Sequence, residues 1–188
     1  MRMTTLLVGA LLCAALTASA QSKIDASVSY ELQRSNGPAG DCGCFNLQGG
    51  RVDASYLVLE RVTIVGEISG AHASNITGSG LDLSLLTYMA GPRYSIRMKY
   101  GLKPFAQFLA GGVHGFDSTF PHPTGASSSA NSFAFTTGGG LDYALSRHIL
   151  VRVVQVDYLK TYLPNNANGE QNSLRVGAGI VFRMKLAK

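Results

Sequence analysis

The chain has 188 residues, 46% of them hydrophobic and only 14% charged, with 22 Gly, 3 Cys and no Trp. That length suits one domain, and so low a charge excludes a disordered chain and a charged coiled coil. The formal net charge is +5, but the basic residues stand singly, so no nucleic-acid partner is expected.

The first twenty residues read as an export signal. Arg2 precedes an apolar run from Leu6 to Leu16, and Ala18-Ser19-Ala20 offers a small-residue cleavage site before Gln21. The run is too short for a membrane-spanning helix. Leu12 directly before Cys13 argues against a lipoprotein signal. Residues 1–20 are therefore expected to be a signal peptide, and 21–188 one exported domain.

Beyond Gln21 the apolar residues alternate with period two, the signature of strands. In the first, Ile24, Ala26, Val28, Tyr30 and Leu32 alternate with Asp25, Ser27, Ser29, Glu31 and Gln33. A polar connection, Arg34 to Cys44, leads to a second strand near Phe45–Tyr56, where a phase change at Gly49-Gly50 suggests a bulge. The third runs Val62–Gly70, with Val62, Ile64 and Ile68 opposite Thr63, Glu67 and Ser69. A loop, Ala71–Gly80, precedes the fourth strand, Leu81–Ile96, in which Leu86, Tyr88, Ala90, Tyr94 and Ile96 oppose Thr87, Gly91, Arg93 and Ser95. The fifth is placed at Lys103–Val113; both phases carry a Phe, so its outer face stays open. A Ser-, Pro- and Gly-rich loop, Gly115–Asn131, follows.

In the sixth strand Phe133, Phe135, Leu141, Tyr143 and Leu145 face away from Ala134, Thr136, Gly138, Gly140 and Asp142. The seventh, Ile149–Lys160, needs a bulge at Val153-Val154 to bring Arg152, Gln155 and Asp157 to one face. After a loop, Thr161–Gln171, the eighth sets Leu174, Val176, Ala178, Ile180 and Phe182 against Ser173, Arg175, Gly177, Gly179, Val181 and Arg183.

Eight strands with connections alternately long and short are the pattern of a transmembrane barrel with short periplasmic turns and long outer loops. A soluble eight-stranded barrel would turn its apolar face inward around a ligand. Here the face opposite the aromatics is Gly, Ser, Thr, Asp, Glu and Arg, which suits a narrow polar lumen. The expected fold is all-β: an eight-stranded antiparallel up-and-down transmembrane β-barrel.

Several segments carry a family resemblance: Phe45-Asn46-Leu47-Gln48-Gly49-Gly50, Ala90-Gly91-Pro92-Arg93-Tyr94, Lys103-Pro104-Phe105-Ala106-Gln107, Gly139-Gly140-Leu141-Asp142, Gln155-Val156-Asp157-Tyr158 and Leu174–Arg183. With them the chain resembles the small outer-membrane β-barrels of the OmpA/OmpX type, often called the porin family. The resemblance implies a place in the outer membrane, contact with its lipid and lipopolysaccharide, and insertion by the barrel assembly machinery. Arg175, Gly177, Ile180 and Phe182 resemble the assembly signal that this machinery reads. Six residues follow Phe182, whereas the usual member ends at the aromatic. No peptidoglycan-binding domain follows the barrel, so that anchoring role is not carried over.

Asp25, Glu31, Glu67, Arg93, Asp142, Arg152, Asp157, Arg175 and Arg183 all fall on inward phases. Antiparallel closure of the first and last strands sets Asp25 near Arg183 and Glu31 near Arg175. Because an isolated buried charge is costly, these residues are expected to pair as a plug. The alternative is a charge-lined channel, but eight strands leave a lumen just wide enough for side chains.

Two further chemistries are open. Cys42 and Cys44 lie in the first long connection, as a loop disulfide or, with His72, His114 and His122, as metal ligands. His72-Ala73-Ser74 is the only His-x-Ser, and some barrels of this kind are lipid A-modifying enzymes, but no orienting carboxylate is evident. Gly138-Gly139-Gly140 lacks the Lys of a phosphate loop. The expectation is a non-enzymatic barrel without a cofactor, structural or binding an extracellular protein through its long loops.

Overall fold

A computed structural model describes residues 23–36, 44–76, 80–122, 125–165 and 168–185. The signal segment, Cys42 and the extreme C-terminus lie outside the described residues. The strands are β1 (Lys23–Ser35), β2 (Phe45–Leu59), β3 (Val62–Ala73), β4 (Leu83–Ser95), β5 (Leu102–His122), β6 (Gly125–Ala144), β7 (Ile149–Thr161) and β8 (Gln171–Lys185). Each pairs antiparallel with the next, and β8 returns to β1, closing the barrel. Closure leaves no unpaired edge, which is what lets strands cross a bilayer.

The outer wall is apolar. Val28, Tyr30, Leu32, Val52, Ile64, Ile68 and Ile180 are all about half exposed. Tyr56, Tyr94, Tyr143 and Phe182 are exposed near the short-turn end, and Phe116, Phe133, Tyr158 and Tyr162 near the loop end. Aromatic residues at both boundaries suit a wall that meets lipid in the middle and headgroups at its rims.

Three features differ from the sequence reading, and another settles a face that it left open. First, β2 carries no bulge at Gly49-Gly50: both glycines pair in unbroken register with Glu31 and Tyr30. The apparent phase change arises because Leu47 points into the barrel, fully buried, while Val52 points out. The register shift lies instead at Leu57/Leu59. Second, β5 turns Phe105 inward, 6% exposed, and Phe108 outward, 49% exposed. Third, β3 continues to Ala73, and much of the expected Gly115–Asn131 loop is a hairpin that prolongs β5 and β6. Fourth, the lumen is not polar throughout. Leu47, Leu85, Leu109, Val113, Phe120, Leu159 and Leu163 form a buried apolar cluster on the side of the long connections. The bulge in β7 is present, as a register shift between Arg152 and Gln155.

Candidate functional site

Because inward positions recur every second residue, each strand delivers its charges to the lumen at fixed levels. Two linked clusters result. In the first, Arg51 donates from Nε to Glu31 Oε2 at 3.0 Å and from Nη1 to Asp157 Oδ2 at 2.7 Å. Arg175 donates from Nη2 to Glu67 Oε1 at 3.0 Å and to the Thr136 hydroxyl at 3.1 Å. Its distances to Glu31 and Asp157 are longer, 3.9 and 3.8 Å. Glu31 thus faces Arg175 but is held mainly by Arg51.

In the second cluster Asp53 is shared by Arg93, at 3.2 Å, and Arg152, at 2.8 Å. Ser27 donates its hydroxyl to the same carboxylate, and Arg152 Nε reaches Asp142 at 3.0 Å. The Phe105 ring lies 4.6 Å from the Arg93 guanidinium and 4.9 Å from that of Arg152, within cation–π range. Gln107 joins the clusters, accepting from Arg93 Nε at 2.9 Å and donating to Asp157 at 3.3 Å. Gln155 does the same between Arg152 and Asp157.

A third group sits at the short-turn mouth, where Asp25 receives Lys103 at 3.4 Å and Arg183 at 3.3 Å. Among the described residues the lumen therefore holds six cations (Arg51, Arg93, Lys103, Arg152, Arg175, Arg183) and six carboxylates (Asp25, Glu31, Asp53, Glu67, Asp142, Asp157). The balance is neutral. Opposed charges at hydrogen-bond distance offset the several-kilocalorie cost of taking each ion out of water. Arg152, Arg175 and Asp157 are fully buried. Side chains so packed and mutually bonded fill the lumen at these levels, as the width of an eight-stranded barrel allows.

All nine lumen residues picked from the sequence face inward. Arg51, Asp53 and Lys103 were missed. The alternation Arg51-Val52-Asp53-Ala54-Ser55-Tyr56 carries the signal for the first two, but it was masked by the assumed bulge. For Lys103 the signal was lost with the phase of β5.

The other candidates lie near the long connections. Cys44 is disulfide-bonded, so it has no thiolate to offer a metal. His72 Nδ1 bonds Ser84 at 2.9 Å, and His114 Nδ1 bonds Asn131 at 2.8 Å. Among the described residues no group of three metal-binding side chains forms. His122 ends β5, opposite Gly125.

His72 Nε2 lies 3.1 Å from the Ser74 hydroxyl, and Ser84 donates to Asp117 at 2.8 Å. A carboxylate is thus present, but one hydroxyl removed from the imidazole. The two N–H groups after Ser74 are both spent, Asn75 N on Asp82 Oδ1 and Ile76 N on Leu81 O. Neither can stabilise an oxyanion beside Ser74. The cluster reads as a polar clasp joining β3, β4 and the β5 bulge, where Asp117 has φ 61°.

In β8, Arg175 and Gly177 face the lumen, whereas Ile180 and Phe182 are each 46% exposed on the outer wall. A Cβ on Gly177 would come within 2.7 Å of the Tyr30 carbonyl, so only Gly fits at this closing seam.

Solved structures share this architecture. Neisserial surface protein A is similar over 89% of this chain and 98% of its own, with TM-score 0.62 and 14% identity. Ail of Yersinia pestis is similar over 88% of this chain and all of its own, with TM-score 0.58 and 15% identity. OprG of Pseudomonas aeruginosa is similar over 88% and 97%, with TM-score 0.53 and 11% identity. At such identities the likeness speaks for the fold. No curated protein matches the chain in sequence. The model of the outer membrane protein beta-barrel domain, however, matches residues 3–182. With that match spanning almost the whole sequence, and a closed eight-stranded barrel beneath it, the chain belongs to the outer membrane protein β-barrel domain family.

Proposed function

We propose that this protein is a non-conducting, non-enzymatic outer-membrane barrel that contributes to envelope integrity and binds an extracellular protein through its long connections. The observation that carries this reading is the neutral, cross-bonded set of lumen charges. A pore needs mobile water beside its charges, and here the carboxylates and guanidinium groups occupy one another. Function then falls to the surface, where loops on a rigid scaffold can vary without cost to the wall. The long β5–β6 hairpin supports this, since it extends paired backbone well beyond the barrel's shorter strands. Among the described residues the loop end carries Arg34 and Lys160 as its Lys/Arg cations, and Lys160 is paired with Glu170 at 2.8 Å. A sulfated ligand such as the heparin analogue bound in an Ail structure is therefore not the partner proposed.

On the same reading, residues 1–20 are a cleaved signal peptide. Arg175, Gly177, Ile180 and Phe182 form the assembly signal, and the outer wall contacts phospholipid and lipopolysaccharide. Planar-bilayer recording of the purified protein tests the closed lumen. No unitary conductance is expected; a steady, reproducible conductance overturns the reading in favour of a narrow channel.

A further inference from the structure

The short-turn end of the barrel is far more basic than the rest. Arg61, Arg97, Lys99 and Arg147 lie in or beside its three turns, and Lys103 and Arg183 line its mouth. Among the described residues Glu60 in the turns, Asp25 in the mouth and Asp142, the register partner of Lys103, oppose them there. Asp25 alone receives both Lys103 and Arg183, at 3.4 and 3.3 Å. Neither cation has another carboxylate within ion-pair distance among the described residues, and the nearby Asp142 is taken by Arg152. The lumen as a whole balances, but within this mouth group two cations share one carboxylate at the edge of a low-dielectric interior, where charge is costly without a close counter-ion.

A cavity of about 530 Å³ opens beside this group. Its charged wall has four cations, Arg61, Arg97, Lys103 and Arg183, against two carboxylates, Asp25 and Glu60. Its outer lip is apolar: Val58, Leu59 and Ile96 line it and are 37%, 64% and 39% exposed. Short turns lie on the periplasmic side in barrels of this type, so the cavity sits where the inner leaflet's headgroups meet the wall. Basic side chains near an anionic leaflet attract its headgroups. A soluble phosphate would satisfy the cations but leave the apolar lip bare.

We propose that this mouth binds the phosphodiester headgroup of an anionic phospholipid of the periplasmic leaflet, with the acyl chains lying against Leu59 and Ile96. The bound lipid supplies a second negative charge to this group and fixes the barrel's depth at its periplasmic rim.

The test uses the full chain, purified in uncharged detergent micelles and titrated with phosphatidylglycerol, phosphatidylcholine or inorganic phosphate. The thermal midpoint is read from the band shift of unboiled samples. Phosphatidylglycerol is expected to raise the midpoint saturably, and phosphatidylcholine is not. In Lys103→Gln/Arg97→Gln the half-saturating concentration rises about tenfold or more, as loss of two cations predicts. Lys103 also bonds Asp25, so Arg61→Gln/Arg97→Gln, which leaves that bond intact, must show a loss of the same order. Arg34→Gln, at the opposite end, keeps the full response. Equal response to the two lipids, or an unchanged response in both double variants, overturns the proposal. So does inorganic phosphate reproducing the phosphatidylglycerol shift at equal concentration, which assigns the site to a soluble anion.

Discussion

Arg51 of β2 and Asp157 of β7 meet across the lumen, Nη1 to Oδ2 at 2.7 Å, though 106 residues separate them. Neither strand neighbours the other, so this bond ties opposite walls of the barrel rather than adjacent strands. Both side chains are almost fully buried. Removing one partner strands a charge in the interior, which costs about 3–5 kcal/mol. Arg51→Met is therefore expected to lower unfolding stability in lipid vesicles by that order. Arg51→Met/Asp157→Asn should recover part of the loss, because both charges leave together. Urea midpoints read by band shift measure the cycle; strictly additive losses contradict a direct pair.

Of the three carboxylates around Arg175, Glu67 and Glu31 should differ in coupling. Glu67 lies 3.0 Å from Nη2, whereas Glu31 lies 3.9 Å from Nη1 and is engaged by Arg51. Double-mutant cycles with Arg175→Met are expected to give Glu67→Gln a larger interaction energy than Glu31→Gln, within the range of about 0.5–3 kcal/mol found for residues in one network. The reverse order would mean that Glu31 is the working partner.

How far the sequence made these bonds legible depends on their geometry. Asp25 and Arg183 are register partners across the β1–β8 seam, and alternation plus antiparallel closure is enough to place them together. Glu31 and Arg175 come near by the same logic but are offset, since Arg175 pairs with Gln33 and Glu31 with Gly177. Contacts across the lumen, such as Arg51 with Asp157, depend on strand tilt and stagger, which no single strand's pattern encodes. The apolar cluster escaped for a related reason. Leu47, Leu109 and Leu159 sit on inward phases, and period two assigns a face without saying whether that face meets lipid or lumen.

Glycine at position 140 is required by packing. Its Cβ would fall 2.7 Å from the Phe105 ring that faces Arg93 and Arg152. Gly140→Ala must displace the ring or the strand and is expected to destabilise by about 1–3 kcal/mol, the usual cost of overpacking. Gly66→Ala provides the contrast, since nothing lies within 4 Å of its Cβ. It should be near neutral, and equal effects of the two substitutions would contradict this account of Gly140.

The disulfide at Cys44 should be dispensable for the barrel. Cys44 immediately precedes β2, and wall pairing begins at Phe45 with Ser35. Mild reduction is expected to leave the band shift of unboiled protein unchanged. A reduced sample that runs as the unfolded chain would place the bond in the scaffold instead.

The β5–β6 hairpin should be separable from the wall, apart from one residue. Beyond the register shift at Phe116/Phe120 its strands pair only with each other. Phe120, however, turns back into the barrel, 6% exposed, within the apolar cluster that includes Leu163. Its ring also lies where a Cβ on Gly115 would be, at 2.7 Å. Replacing 117–128 with a short turn is expected to preserve a heat-modifiable barrel, because every inter-strand pair up to Phe116 and Ser129 survives. It should also lower the urea midpoint, since the cluster loses its cover. Phe120→Ala in the full chain should reproduce most of that drop, about 3 kcal/mol for a buried Phe truncated to Ala. If the deletion lowers stability and Phe120→Ala does not, the stabilising contact lies elsewhere in the hairpin. If neither does, the apolar cluster is held by the wall alone, and the hairpin is free to serve entirely as a binding arm.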